Sequence, residues 1–397
     1  MEDMAKGLHD GTLKPQDLSK EAILKTYKEV YKGASEGYGE KFIKHDLSPN
    51  EQETVQELKQ NIYMFSQAKT YGMMSEMNDK LYDKGKIRPY KDFKDDVLKT
   101  NPKYNKNYLQ AEYQTAKSIA NHTRDWIRYQ QNKDIYKNLR YKTVGDARVR
   151  EPHQMLNDVV KPIDHAFWNI YYPPNGWRCR CYVEPTNDPI QGEIEGKPDK
   201  YGVPTAFQQN AAKQKQVFDE KKHPYFALTN SQSNNTTLQK NMERNKVYAP
   251  LETIYTSEKG AKVKVSPFAD MRNMDEYKGN VRAAIQITDK LGLNVTIKAH
   301  LDGHIIKKEP NPEYEIAGKI ADRKTTKNGN ISNQLSKANK QGAETVVFDL
   351  YDSEVSIEQV KLNLKKVLKF NVHDKIKNII LISNDGNNVE FIKRKDL

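Results

Sequence analysis

Apolar positions recur at helical spacing through the first third of the chain: Ala22, Ile23, Tyr27, Val30 and Tyr31, then Val55, Leu58, Ile62, Phe65 and Ala68. Strand-like alternation is scarce there, so residues 17 to 136 are expected to be α-helical. Ser48-Pro-Asn-Glu and Asn101-Pro-Lys read as helix entries or turns, and Ser19 with acidic Glu21 as an N-terminal cap. From Tyr141 to Glu184 the period dissolves into prolines, aromatics, His and Cys in irregular order. That texture predicts a compact, loop-rich unit held by something other than periodic burial. Residues 186 to 247 then turn rich in Gln, Asn, Ser and Lys. A helix is expected at Ala206–Lys222, and the run Thr229-Asn-Ser-Gln-Ser-Asn-Asn-Thr-Thr is the expected linker.

Beyond Tyr248 the pattern switches between periods of two and 3.6. It predicts a strand at Lys262–Val265, a helix at Asp275–Leu291, a strand at Val295–His300 and a hairpin at Glu313–Thr325. A helix at Ile331–Gln341, a strand at Thr345–Leu350, a helix at Ile357–Leu368 and a strand pair at Ile379–Ser383 and Val389–Arg394 follow. This is the order of an α/β or α+β domain. The chain thus divides into a helical part (1–140), a loop-rich His/Cys part (141–185), a Gln/Asn/Ser-rich linker with a helix (186–247) and the α/β part (248–397).

Length agrees with that division, since 397 residues hold two or three domains at roughly 100–200 residues each. Charged residues make up 30% and apolar ones 36%, polar for a globular chain but with enough Ile, Leu, Val and Tyr to fold. The net charge of +12 would draw an anionic partner such as nucleic acid, and host-wide lysine enrichment would leave the same excess. The two cysteines, Cys179 and Cys181, are one residue apart and cannot staple distant segments, which excludes a disulfide scaffold. No apolar run approaches the roughly 18–20 residues that span a bilayer, and the N-terminus lacks a signal-peptide pattern. The expectation is a soluble protein made in the cytoplasm, with no membrane partner.

The densest chemistry lies in Asn311-Pro-Glu-Tyr-Glu-Ile-Ala-Gly-Lys-Ile-Ala-Asp-Arg-Lys-Thr-Thr, two short runs around a tight turn. A Gly318-Lys319 loop sets Glu315 opposite Asp322; an Ala317-Gly318 loop sets Glu313 opposite Asp322. Either way Glu313, Glu315, Asp322 and Lys324 share one face. Carboxylates facing each other across strands repel unless a cation bridges them, and Mg²⁺ or Mn²⁺ with phosphate and water as further ligands is suited to that. Lys324 could then orient water or stabilise charge developing on phosphate. On the preceding helix, Glu276 falls on the face of Asn280, Ala283 and Ala284, which aims it along the side that packs on the sheet. The bland alternative is a surface hairpin whose acids Arg323 and Lys324 neutralise.

These residues resemble the PD-(D/E)xK nuclease superfamily, and within it the C-terminal tRNA nuclease domains of contact-dependent inhibition toxins. The resemblance implies a restriction-endonuclease-like fold with Glu313 as first metal-binding acid, Asp322 as second, Lys324 as the lysine and Glu276 as the acid on the first helix. It further implies substrate contacts from Thr325, Thr326, Asn333, Gln334, Lys337 and Gln341, a tRNA or DNA substrate, and it leaves an immunity protein open as a partner. Pro312-Glu313 stands where Pro-Asp is usual, so Glu313 and Glu315 both remain candidates for that ligand. His300 and His304 would instead be central in a metal-free ribonuclease of the barnase, EndoU or colicin kind.

In the front part, Arg140-Tyr-Lys-Thr-Val-Gly-Asp-Ala-Arg-Val-Arg-Glu-Pro-His153, Pro162-Ile-Asp-His-Ala-Phe-Trp168 and Tyr171-Tyr-Pro-Pro-Asn-Gly-Trp-Arg-Cys179-Arg-Cys181 resemble the phage Mu F-like minor head proteins over most of residues 20 to 185. That resemblance implies head morphogenesis in a phage or prophage, capsid or portal partners and a place in the virion head. A structural head protein with an inactive tail domain is the competing class. His153, His165, Cys179 and Cys181 supply four ligands suited to a structural Zn²⁺, although the spacing is not that of a standard finger. Trp168, Tyr171, Tyr172 and Trp177 are expected in the core or at a protein interface rather than stacked on bases.

Overall fold

A computed structural model describes residues 1–43, 47–307, 309–326, 331–369 and 372–397. It separates into two compact units, Met1–Met242 and Glu243–Leu397.

Three long helices dominate the front unit: α1 (Lys20–Tyr38), α2 (Pro49–Asp79) and α3 (Leu109–Gln131). The Ser19 hydroxyl accepts from the Ala22 N–H at 3.3 Å to start α1, and Ser48 and Glu51 cap α2 reciprocally with Pro49 in the first turn. Gly33 and Gly37 let α1 lie against α3, because a Cβ at either would collide with the carbonyl of Tyr113 or Lys117. Asn101-Pro-Lys does not start a helix. It closes the helix Tyr90–Pro102, and the chain continues as a wider π-helical turn at Lys103–Tyr108.

The segment expected to be loop-rich holds a small antiparallel sheet, with β1 (Asn138–Lys142) between β2 (Val160–Pro162) and β3 (Tyr182–Thr186). Tyr141, Trp168, Tyr171 and Tyr172 are buried in one core around it. The expected linker also folds. Its predicted helix at 206–222 shrinks to one turn, Ala211–Gln214, ended by Lys215 at φ 53°, because Phe207, Val217 and Phe218 turn inward instead of following one helical face. Phe218 stacks on Phe65 of α2 with ring centroids 3.8 Å apart. The Asn61 side chain clamps the Phe218 backbone, donating to its carbonyl at 2.9 Å and accepting from its N–H at 2.8 Å. The polar run 229–237 ends the helix Pro224–Ser231 and begins the helix Thr236–Asn245.

The rear unit is one mixed eight-stranded sheet with strands in sequence order: β4 (Glu252–Thr256), β5 (Lys262–Val265), β6 (Val295–Ile297), β7 (Tyr314–Ile316), β8 (Lys319–Thr325), β9 (Thr345–Asp349), β10 (Asn378–Ile382) and β11 (Val389–Lys393). The pairs β5–β6, β8–β9 and β9–β10 are parallel and the others antiparallel. Helix α4 (Met274–Leu291) buries Ala283, Ala284 and Ile287 on one face, with Val295, Tyr314, Ala321 and Val347. Helices α5 (Ser332–Lys340) and α6 (Ile357–Leu368) cover Val346, Phe348, Ile379 and Leu381 on the other. Among the described residues no helix is long and apolar enough to cross a membrane.

Beneath α4 lies a buried charge network. Asp349, 1% exposed, takes the guanidinium groups of Arg282 and Arg323 on its Oδ2, each at 2.6 Å. Arg323 also donates to Asn280 Oδ1 at 2.9 Å, and Arg282 lies 3.7 Å from the Tyr351 ring centroid. Removing one partner of such a network leaves the other charge buried and uncompensated. Asp349→Ala is therefore expected to destabilise the rear unit by about 3–5 kcal/mol, and Asp349→Ala with Arg323→Met to recover part of that. All three tryptophans belong to the front unit, so urea pulse proteolysis of the rear fragment is the suitable measurement.

Candidate functional site

Hairpin register decides which acids meet. Lys319 pairs with Ile316, Ile320 with Glu315 and Ala321 with Tyr314, so the two-residue loop is Ala317-Gly318, with φ of 50° and 78°. Positive φ at both central positions is the turn whose twist suits a hairpin. Continuing that register sets Glu313 beside Asp322 and leaves Glu315 between Ile320 and Thr296 on its neighbouring strands. Glu313 lines a cavity with Asp322; Glu315 does not.

That cavity, about 320 Å³, opens where the carboxyl end of β6, the start of β7, the middle of β8 and the first turns of α4 converge. Glu276, Glu313, Asp322 and Lys324 all line it. Asp322 is buried, 2% exposed, and Lys324 Nζ lies 2.7 Å from its Oδ2. The two form a close ion pair. Burial raises the Asp322 carboxyl above its usual range, and Lys324 partly offsets this. Glu313 is pushed up to about 7, first by burial and then by the charge of Asp322, with Glu276 adding to it and Lys324 opposing. Its Oε2 is buried with no hydrogen-bond partner. An unpaired buried carboxylate oxygen facing a second acid is costly without a cation.

Two sequence expectations change here. Glu276 does not pack on the sheet. It sits in the first turn of α4, beyond the strand edge, so it stays exposed while Asn280, Ala283 and Ala284 on the same face are buried; Asn273 Oδ1 accepts its backbone N–H at 3.2 Å. Nor does Arg323 neutralise the acids, because strand alternation sends it to the opposite face, onto Asp349.

Of the six expected substrate residues Gln341 lines the cavity, and Thr325, Thr326, Asn333, Gln334 and Lys337 lie away from it. Thr326 is buried and its carbonyl accepts from the Ser353 hydroxyl at 2.8 Å. Gln334 donates to the Thr325 carbonyl at 3.3 Å, and Lys337 is exposed on α5. Residues 327–330, which follow Thr326, are outside the described residues.

Lys298, His300, Asn311 and Gln341 also line it, and of these the sequence points to His300 and Gln341. The signal for Lys298 was present: Val295 and Ile297 point into the α4 core, so Thr296, Lys298 and His300 alternate onto the face of the acids. Lys298 sits beside Glu313, its N–H donating to the Glu313 carbonyl at 2.9 Å. His300 stands among Arg272, 3.0 Å from its Nε2, Asn311, 3.2 Å from its Nδ1, and Asp270. His304 does not line the cavity, so of the two candidate histidines His300 is the one that stands with the acids.

In the front unit, His153, Cys179 and Cys181 are buried together, their candidate ligand atoms all within 4.8 Å of one another. The fourth expected member, His165, is not with them. It is exposed, and its Nδ1 accepts the Phe167 N–H at 3.1 Å, closing its own turn. Cys179 and Cys181 form no disulfide.

Comparison with known proteins divides along the same line. Residues 50–184 match the family model described as Phage Mu protein F like protein, and residues 309–388 match that of the contact-dependent growth inhibition CdiA C-terminal domain. The chain therefore carries a Mu F-like stretch in its front unit and a CdiA C-terminal toxin-like stretch in its rear one. Among curated proteins, the putative capsid assembly protein F of Escherichia phage Mu is 46% identical over 50 residues, 13% of this chain and 11% of its own. The Mu-like prophage FluMu F protein of Haemophilus influenzae is 36% identical over 76 residues, 19% of this chain and 18% of its own. The matched stretches thus span less than a fifth of either relative. No solved structure matches the chain significantly.

The weakened acidity of Glu313 has a signed consequence for stability. A carboxyl that holds its proton more tightly when folded contributes most below its ordinary value of 4.5 and loses that contribution as pH rises toward about 7. Without metal, Glu313→Gln should leave rear-unit stability unchanged near pH 4 and raise it by about 2–3 kcal/mol above pH 7, read by pulse proteolysis in EDTA across that range.

Proposed function

We propose that the rear unit is a metal-dependent nuclease of the PD-(D/E)xK kind. It hydrolyses nucleic-acid phosphodiesters, tRNA ahead of DNA, and is carried on a phage or prophage head-morphogenesis protein. The observation that carries the reading is the buried meeting of Glu313 and Asp322 beside Lys324, with one Glu313 oxygen left without a partner. The succession α4, β6, β7, β8, α5, β9, with an antiparallel trio of strands and a parallel fourth, supports the restriction-endonuclease-like assignment. The match of residues 309–388 to a toxin C-terminal domain supports the toxin context.

Glu313 and Asp322 are the residues that would hold Mg²⁺ or Mn²⁺. Among the described residues the acids do not close into a three-ligand cage, and Mg²⁺ commonly uses one or two carboxylates with substrate oxygens and water. When bound, the ion supplies Lewis-acid polarisation of the phosphate and a more acidic water. The chain's own groups do the rest. Lys324 favours the ionised form of Asp322 against its burial and offers its ammonium to charge developing on the phosphate. Lys298 adds a second cation on the same face, and Glu276 at the cavity wall is placed to orient water. The amino end of α4, which carries a partial positive charge, also borders the cavity. For the front unit we propose capsid or portal partners and a place in the phage head, following the head-protein relatives.

The full-length chain, incubated with total tRNA and with plasmid DNA in Mg²⁺ or Mn²⁺ and in EDTA, is expected to cut tRNA only with metal. Lys324→Ala should slow cutting by about 100-fold or more. Cutting in EDTA that depends on His300 would replace this with a metal-free ribonuclease, and no cutting of either polymer would favour a structural tail.

A further inference from the structure

We propose that His153, Cys179 and Cys181 of the front unit bind one Zn²⁺ through three protein ligands, leaving a fourth, exchangeable position for water or a small anion. The distances carry this. His153 Nδ1 lies 3.7 Å from Cys179 Sγ and 3.6 Å from Cys181 Sγ. A tetrahedral zinc with Zn–N of about 2.05 Å and Zn–S of about 2.3 Å has an N···S edge of about 3.6 Å. Both N···S distances match that edge, and all three donor atoms lie within 4.8 Å of one another. Two sulfurs and an imidazole are the borderline-soft set that selects zinc over Mg²⁺ or Ca²⁺.

The surroundings hold the donors in the required state. His153 Nε2 lies 3.3 Å from the Gly202 carbonyl. A carbonyl only accepts, so Nε2 carries the proton, and the Nδ1 lone pair is left facing the sulfurs. Backbone amides of Asn175 and Cys181 lie against Cys179 Sγ, as donors do around metal-bound thiolates. The short Cys-x-Cys spacing is no obstacle: near-extended backbone places alternate side chains on one side, so Cys179 and Cys181 turn inward while Arg180 turns out to Asp146, at 2.6 and 2.7 Å.

The fourth corner is open. Among the described residues no further His, Cys, Asp or Glu joins the three. All three line a cavity of about 400 Å³ whose wall also holds Arg148, Arg150, Arg178 and Arg180. Structural zinc sites are closed by four protein ligands, whereas three ligands facing a cavity keep a replaceable position. The arginines beside it would favour an anionic donor there.

The test uses the full-length protein grown with added zinc. Elemental analysis should find about one zinc per chain, lost in Cys179→Ser and Cys181→Ser and kept in His165→Ala and Glu313→Ala, the last excluding the nuclease cavity as its source. Replacing zinc by Co²⁺ should give thiolate-to-metal charge transfer and the strong visible bands of a tetrahedral ion, and azide should shift those bands. Tryptophan fluorescence, reporting on Trp168 and Trp177 beside the site, verifies that each variant is folded. Folded wild-type protein without zinc, in which iodoacetamide alkylates Cys179, would overturn the site. Equal zinc in wild type and both cysteine variants would overturn the ligand assignment, and cobalt bands indifferent to azide would overturn the open position.

Discussion

The rear unit depends on a repulsion that its own register enforces. Glu313 and Asp322 face each other on adjacent strands, and burial sharpens their mutual cost because little water screens it. The groups that impose this arrangement lie on the other side of the same strands. Tyr314 is fully buried and its hydroxyl donates to the Asn280 carbonyl at 2.5 Å, while Arg323 reaches Asp349 and Asn280. Slipping the hairpin to a Gly318-Lys319 loop would keep the acids on one face, but it would move Tyr314 off Ala321 and away from that carbonyl. The packed face thus holds the acidic face in place. It does so even though Ala317 must adopt a left-handed φ, roughly 1–2 kcal/mol less favourable than glycine there.

The same alternation explains how three successive charges serve two ends. Asp322 and Lys324 point into the cavity, and Arg323 between them points beneath α4. The buried Arg282–Asp349–Arg323 network is costly to desolvate and hard to break once formed. It stiffens β8 and β9 directly behind the acids, and a rigid backbone is what keeps two like charges from relaxing apart. A catalytic carboxylate pair placed on a mobile loop would separate instead, and its affinity for a cation would fall with it.

How much of this could be read from the sequence follows from which residues depend on local period alone. The helix expected at Asp275–Leu291, the hairpin and the later strands of the rear unit are legible in the spacing, and so is the shared face of Glu313, Asp322 and Lys324; that β8, β9 and β10 pair in parallel is not. The choice between Glu313 and Glu315 did not, because turn preference favours glycine at the first loop position and only the packing of Tyr314 overrides it. Glu276 was placed on the right helical face but one turn too deep, since periodicity cannot say where a helix overhangs its sheet. Residues 186–247 were misread for a different reason. Their polar composition resembles a linker, yet sparse anchors such as Phe207, Phe218, Phe226 and Leu238 are enough to bury the segment. His165 was grouped with the other ligands by residue type, and only the fold shows its ring turned to a local amide.

The two sites differ in the way their donors answer to metal. In the rear cavity the candidate donors are hard carboxylate oxygens; on the proposed reading such a site would hold Mg²⁺ or Mn²⁺ weakly, with substrate oxygens completing the shell. In the front unit the donors are two cysteine sulfurs and an imidazole already gathered within 4.8 Å of one another, so little ordering remains to oppose binding. A chain exposed to both kinds of ion would load the front site from trace zinc and leave the rear one to exchange with millimolar Mg²⁺. Chelation should then separate them by rate: brief EDTA strips a loosely held oxygen-ligated ion while zinc bound through two buried thiolates leaves slowly.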